Sequence, residues 1–285
     1  MSDENRFEKT PEQIAQVKRL AMPIAVAGLV LGAAGLIMLL RGWVDTTRPP
    51  DLLGANLCFF AMMMGVGILA WAKGTPGAKP ALLLSLVAVI FGVVGAFGYY
   101  KRGFDWRIQM EQRELNNVAA VAKAAMEMAT RNGVFPKDIA AMRAAGLLSP
   151  EVLHSPYGSN EVSQYAKDLK QGKITQTQFD GWYRTHSDYE YFGKDLGNAQ
   201  ASTAPAGTNP RVLNPWIVIA AARNPVKRMK LAIAFVDGIP IFIDLEKAQG
   251  ILKLSNDARK KAGLPEMRPP SAVERATSQE RSGLK

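Results

Sequence analysis

Apolar residues are concentrated in three uninterrupted runs near the start of the chain. Residues 21–40, 52–72 and 81–100 contain no Asp, Glu, Lys or Arg. A helix of about 20 apolar residues, at roughly 1.5 Å per residue, spans the roughly 30 Å hydrocarbon core of a bilayer. Three uncharged runs leave no polar face for water. The pattern therefore predicts a transmembrane domain over residues 21–100, preceded by a polar leader at 1–20.

Glycines recur at short spacings inside these runs, and small residues three or four apart allow helices to approach closely in lipid. We expect a tight three-helix cluster or a homo-oligomer through these faces, with membrane lipids as further partners. The spans hold none of the charged residues that usually mark an ion pathway, which argues against a transporter. The glycines are Gly28, Gly32, Gly35, Gly65, Gly67, Gly92, Gly95 and Gly98.

After the third run the pattern becomes that of an amphipathic helix, with apolar residues three or four apart between Ile108 and Ala129. Shorter helices and then four predicted strands follow. We predict an α+β domain at 101–263, with a long helix packed on a small antiparallel sheet, and a disordered tail at 264–285. The predicted strands are 188–192, 215–222, 230–236 and 239–243, and the last helix begins after Asp244.

An Asp-Gly pair separates the last two predicted strands. Asp237 and Gly238 suit a two-residue type I′ turn, which places Ala234 opposite Ile241. Pro240 predicts that the final strand lies at a sheet edge, since its missing N–H cannot serve a further strand. The pair is therefore interpreted as a structural turn and not as an acidic site.

Several short motifs follow one another in a recognisable order: N-G-x-F-P, then L-L-S-P-E-x-L-x-S-P-Y-G, then D-Y-E-Y-F, then F-x-D-G. In this order the chain resembles the globular part of type II secretion pseudopilins, and still more the pilin-like planctomycete proteins that end in an F-A-D-G-H-V hairpin. The resemblance covers roughly residues 81–252 and implies a pilin-like fold. Two features depart from the family: two further spans precede the helix, and Ile239 stands where the family has histidine.

The sequence contains few of the residues and motifs that are typical of catalysis or metal binding. The chain has two histidines and one cysteine, and it lacks the common hydrolase, metalloprotease, phosphate-loop and dithiol motifs. His186 with Asp188 and Glu190 is one possible metal or enzyme site, although such a run at a strand start is more typical of a solvated edge. We predict no catalytic residue, no cofactor and no metal.

Two surfaces are candidate binding sites, and each has a structural alternative. The first is a basic loop, which either binds anionic lipid or polymer or is an ordinary solvated turn. The second is a group of aromatic residues, which forms either a recognition patch or a small cluster packed against the core. The formal net charge of +10 favours anionic partners, but no nucleic-acid recognition module accompanies it. The basic residues are Arg223, Lys227, Arg228 and Lys230, and the aromatic ones are Trp182, Tyr183, Tyr189 and Tyr191.

Lys18 and Arg19 directly precede the first span, which favours a cytoplasmic N-terminus. We therefore expect a multi-pass protein of the bacterial inner membrane with a periplasmic C-terminal domain. The leading hypothesis is a non-enzymatic envelope protein that presents its pseudopilin-like domain to proteins or the cell surface. The alternatives are a component of a type II secretion or type IV pilus-like assembly, and a membrane-bound envelope enzyme.

Overall fold

A computed structural model describes residues 9–44, 49–158, 160–196, 215, 217–225 and 230–283. These residues form two compact units, Met1–Gln109 and Met110–Lys285. The prediction of three long apolar helices followed by a small antiparallel sheet is confirmed. The helices are α1 Pro11–Val44, α2 Leu52–Ala72, α3 Lys79–Asn132, α4 Ile139–Ala144, α5 Asn160–Lys170, α6 Gln176–His186, α7 Leu245–Lys261 and α8 Ser271–Gly283, and the strands are β1 Tyr189–Tyr191, β2 Val218–Ala222, β3 Lys230–Phe235 and β4 Pro240–Asp244.

The first unit contains three helices that are each long and apolar enough to cross a membrane. Large apolar side chains lie on its outer surface, where Val30, Phe60 and Phe97 are 60%, 58% and 70% exposed. Such a surface is unfavourable in water and suits a lipid environment. By length and composition, the chain is therefore that of a membrane protein.

Helix α1 begins ten residues before the apolar run, so the second half of the predicted leader is helical. The cause is a capping box at its start. The backbone N–H of Thr10 donates to Gln13 Oε1 at 3.0 Å, and the N–H of Gln13 donates to Thr10 Oγ1 at 3.3 Å. Pro11 takes the first helical position, where its missing N–H is not needed.

Glycines bring the helix backbones of this unit together, as their spacing predicted. A Cβ on Gly92 would lie 2.3 Å from Met62 Cβ, and one on Gly65 would lie 2.6 Å from the carbonyl oxygen of Ser85. Real Cβ atoms do not approach this closely, so α2 and α3 can pack in this way only where the side chain is absent. A homo-oligomer through the same faces stays a prediction.

Charged side chains complete the hydrogen bonding at the ends of these helices. Lys9 Nζ donates to the carbonyl oxygen of Lys73 at 2.7 Å and to Thr75 Oγ1 at 2.9 Å, beyond the end of α2. Arg102 Nε donates to the carbonyl oxygen of Gly42, near the end of α1, at 3.2 Å. The last carbonyls of a helix have no partner within it, so these cations stabilise the helix ends.

The second unit is built around an antiparallel sheet with the strand order β1-β2-β3-β4. On one face, the hydroxyl of Tyr189 reaches Glu114 and Asn117 of α3. The neighbouring Glu190 points to the opposite face, where it binds Ser271 at the start of α8. The sheet therefore carries helices on both faces, whereas the sequence predicted a single helical layer.

The described part of the segment predicted to be a disordered tail, residues 264–283, is folded. Leu264, Met267, Ala272 and Val273 are buried, and residues 271–283 form α8. The backbone N–H of Met267 also donates to Asn256 Oδ1 of α7 at 3.0 Å. The polar, proline-bearing composition suggested disorder, but a few apolar residues at suitable spacing fix this segment to the rest of the unit.

The hairpin between β3 and β4 has a three-residue loop, so the predicted two-residue turn is wrong. The N–H of Gly238 donates to the carbonyl oxygen of Phe235 at 2.9 Å, and the φ of Gly238 is +81°. This is the geometry of a turn followed by a left-handed glycine. Ala234 consequently faces Pro240 and not Ile241. The prediction that β4 is an edge strand is confirmed.

Candidate functional site

A cavity of about 730 Å³ lies at the open edge of β1, and we call it the β1 cavity. All four consecutive residues 189–192 line it, although side chains on a strand alternate between the two faces of a sheet. The cavity is therefore at the edge of the strand and not over one face. Its other walls are the start of α4, the end of α6 and residues 266–274. The volume is typical of a ligand pocket.

The backbone edge of β1 is partly closed by a side chain. Ser187 Oγ accepts from the N–H of Tyr189 at 3.0 Å and donates to the carbonyl oxygen of the same residue. On the other side of the strand, the N–H of Arg223 donates to the carbonyl oxygen of Asp188 at 2.8 Å. Ser187 thus occupies the backbone N–H and carbonyl oxygen of Tyr189 that face away from β2. A ligand in the β1 cavity would therefore contact mainly side chains at this part of the edge.

Charged side chains of both signs line the β1 cavity, and part of them serve the fold. Asp138 Oδ1 accepts from the N–H of Ala141 at 2.7 Å and caps α4, while Asp138 Oδ2 lies 3.6 Å from Arg184. Glu190 accepts from the N–H of Ser271 at 2.9 Å and from its hydroxyl, which fixes the start of α8. These two carboxylates hold the walls together.

Arg223 connects three walls of the β1 cavity. Its Nε lies 3.7 Å from Glu190 Oε1, its Nη1 donates to the carbonyl oxygen of Thr185 at 3.3 Å, and its own carbonyl oxygen accepts from Arg275 at 2.6 Å. The Nε is buried and donates to none of the described residues. The guanidinium is thus held in place beside Glu190 at the cavity wall.

The structure divides the predicted basic set. Arg223 lines the β1 cavity, and Lys230 is exposed at the start of β3, opposite Asp244. Lys227 and Arg228 lie outside the described residues. Of the two described members of this set, Arg223 is the one that lines a concave site.

The predicted aromatic patch is not a continuous surface. Tyr183 and Tyr189 are 2% and 1% exposed, so they belong to the core and only border the β1 cavity. Tyr191 is half-buried and also lines it. Trp182 lies elsewhere, stacked against the ring of Tyr165 at a centroid distance of 4.0 Å. Three of the four aromatic residues nevertheless meet Arg223 at one cavity. Their positions in the sequence did not predict this meeting.

A buried polar cluster was not predicted from the sequence. It is formed by α3, the S-P-Y-G turn and the start of β1. Glu114 is fully buried and accepts from Ser155 Oγ at 2.8 Å and from the hydroxyl of Tyr189 at 3.1 Å. Asp188 Oδ2 accepts from the N–H of Ser155 at 3.0 Å and lies 3.4 Å from His154 Nδ1. One feature of the sequence indicated this cluster: Glu114 lies four residues before Val118, on the apolar stripe of α3.

Burial raises the pKa of Glu114 to about 7, outweighing the hydrogen bonds from Ser155 and Tyr189, which lower it. The cluster contains a serine, a histidine and carboxylates, but their geometry is not that of an activated nucleophile. Ser155 donates to Glu114 and not to His154, and it is fully buried. The cluster therefore fastens the S-P-Y-G turn to α3 and β1.

The residues considered as a metal site point in different directions. His186 Nδ1 is 2.7 Å from Thr185 Oγ1 and 3.0 Å from the carbonyl oxygen of Trp182. Asp188 is bound to Ser155, and Glu190 to Ser271. Across the part of the chain that the structure describes, no three His, Cys, Asp or Glu side chains are grouped to hold a metal.

Comparisons with protein-family models, with characterised proteins and with solved structures find no match to this chain. The pseudopilin-like identity accordingly stays a prediction from the order of motifs. By length and composition the chain belongs to the membrane proteins, and its second unit combines helices with an antiparallel sheet.

Proposed function

We propose that this chain is a non-enzymatic, membrane-anchored protein of the bacterial cell envelope whose pseudopilin-like unit binds another protein or the cell surface. The β1 cavity carries this proposal. Members of the two sets that the sequence marked as binding surfaces meet there: Arg223 and the half-buried Tyr191 line the cavity, and the buried Tyr183 and Tyr189 border it. A concave site with aromatic and basic groups suits recognition.

Two of the carboxylates that line the cavity are committed to the fold, which favours binding over catalysis. Glu190 is held by Ser271, and Asp138 by Ala141, so both side chains are committed to the fold. A general acid or base needs a proton that it can exchange with a substrate. Residues in structural hydrogen bonds at the N-termini of two helices do not suit that role.

The proposed location is the inner membrane, with the C-terminal unit in the periplasm. Lys18 and Arg19 beside the first span support this orientation. A pair of reporters, one active only in the cytoplasm and one only in the periplasm, fused after Lys285, tests it. Activity of the cytoplasmic reporter would reverse the orientation.

Site-directed photo-crosslinking in intact cells tests the proposed function. A photoreactive amino acid replaces Lys194, which is exposed at the wall of the β1 cavity, and a matched variant replaces Lys260, which is exposed on α7. We expect a discrete adduct at position 194 that mass spectrometry assigns to one protein or envelope polymer. If neither position gives an adduct in correctly inserted protein, the proposal fails.

A further inference from the structure

The β1 cavity has cations that the fold does not use. Lys137, Lys194 and Arg268 are exposed, line the cavity, and have no ion-pair partner among the described residues. Lys137 precedes α4, Lys194 follows β1, and Arg268 lies between α7 and α8. Their convergence is therefore produced by the fold and not by a local run of charge.

The same lining contains two acidic side chains without an ion-pair partner among the described residues, Glu266 and Glu274. An anionic bilayer surface would bring its own negative charges against these carboxylates, and a flat surface cannot enter a concavity. A peptide differs because it carries both kinds of group. Its acidic side chains can pair with the cations, and its backbone N–H groups can donate to the carboxylates.

Apolar groups complete the lining. Phe192 and Tyr191 are half-buried, Met267 is buried, and Pro269 is exposed, so the wall offers apolar contact between the charged positions. Arg223 adds a guanidinium that is held beside Glu190 at the wall. A short peptide segment could use these features together, whereas a small inorganic anion would use only the charges.

We infer that the β1 cavity binds an acidic segment of a partner protein, with Lys137, Lys194 and Arg268 pairing with its carboxylates. This inference rests on the proposed function, because it specifies which class of partner that function serves. The two experiments are separable. A partner identified by crosslinking from position 194 that still co-purifies with the Lys194→Glu, Arg268→Glu variant would preserve the proposed function and overturn this inference.

A binding assay on the full chain in mild detergent tests the inference directly. The probes are an array of fluorescent octapeptides that each carry two Asp or Glu residues, and their matched Asn or Gln versions. The cavity variant is Lys194→Glu with Arg268→Glu. The control is Lys253→Glu with Lys260→Glu, which makes the same change of charge at exposed positions of α7 outside the cavity.

We expect some acidic peptides to bind with a Kd below about 100 μM, and their amide versions to bind at least about tenfold more weakly. The cavity variant should weaken binding by about tenfold or more, and the control by less than about twofold. Equal losses in both variants would show that only bulk charge acts. Equal binding of the amide versions, binding of none of the peptides, or binding of anionic lipid vesicles in place of peptides would each overturn the inference.

Discussion

Replacement of Glu114 by Gln should change how the stability of the second unit depends on pH. The pKa of Glu114 is raised from its ordinary 4.5 to about 7 because the side chain is buried. Between these two values the folded state keeps the proton and the unfolded state loses it. The stabilising contribution is therefore complete below about pH 4.5, declines as the pH rises, and is lost above about pH 7.

The size of this effect follows from the difference between the two pKa values. At about 1.36 kcal/mol per pKa unit, the full difference corresponds to roughly 3 kcal/mol. Between pH 5 and pH 8 the free energy of unfolding of the wild type should therefore fall by roughly 2–3 kcal/mol from this group. Gln keeps an oxygen that accepts from Ser155 and Tyr189 but has no charge to bury, so the Glu114→Gln variant should lack this decline.

Native-state hydrogen exchange of the full chain in mild detergent measures the effect, because β2 and β3 are buried and report the most stable part of the unit. Glu127→Gln is the matched control, since Glu127 lies on the same helix but is exposed and pairs with Arg131. It should keep the wild-type decline. A decline that persists unchanged in Glu114→Gln, or a wild-type stability that rises from pH 5 to pH 8, would refute the reasoning.

Three further substitutions test close approaches and the hairpin. Gly158→Ala would place its Cβ 2.3 to 2.4 Å from the carboxylate atoms of the buried Asp188. It should therefore destabilise the second unit by about 1–3 kcal/mol in urea denaturation. The control is Gly181→Ala, in open space on α6, which should be neutral or stabilising. Gly92→Leu should break the packing of α2 with α3 and lower the thermal stability of the detergent-solubilised chain, whereas Gly67→Leu, with nothing within 4 Å of its Cβ, should not. Gly238→Ala should cost about 1 kcal/mol in the same urea assay because its φ is +81°; an unchanged unfolding midpoint would contradict the turn geometry.

The elements governed by local patterns were predictable. Three uncharged runs gave three helices, and short runs rich in apolar residues gave the strands, because both patterns depend on neighbours in the sequence. The start of α1 was missed although its signal was also local: Thr10, Pro11 and Gln13 form a capping box within four residues. The apolar pattern alone does not locate this start, because polar capping residues set the limits of a helix.

The hairpin shows how a correct element can have a wrong register. Asp-Gly fits both a two-residue turn and the three-residue loop that ends in Gly238, and the flanking strands are apolar on both faces. Alternation therefore could not choose between registers that differ by one residue. The N–H of Ile239, which donates to Asp237 Oδ1 at 2.9 Å, gives the aspartate a structural role in the loop that is present.

The β1 cavity could not be predicted from sequence because it needs the segment that composition marked as disordered. One wall, residues 266–274, is positioned by the contact between Ser271 and Glu190, two residues more than eighty positions apart in the chain. Glu190 had been considered for chemistry as a neighbour of His186, but its carboxylate instead holds the start of α8. The same contact that removes Glu190 from a metal site thus creates the wall on which Arg268 lies. A binding role for the cavity accordingly depends on α8 staying in place, and a partner segment would have to bind with that helix attached.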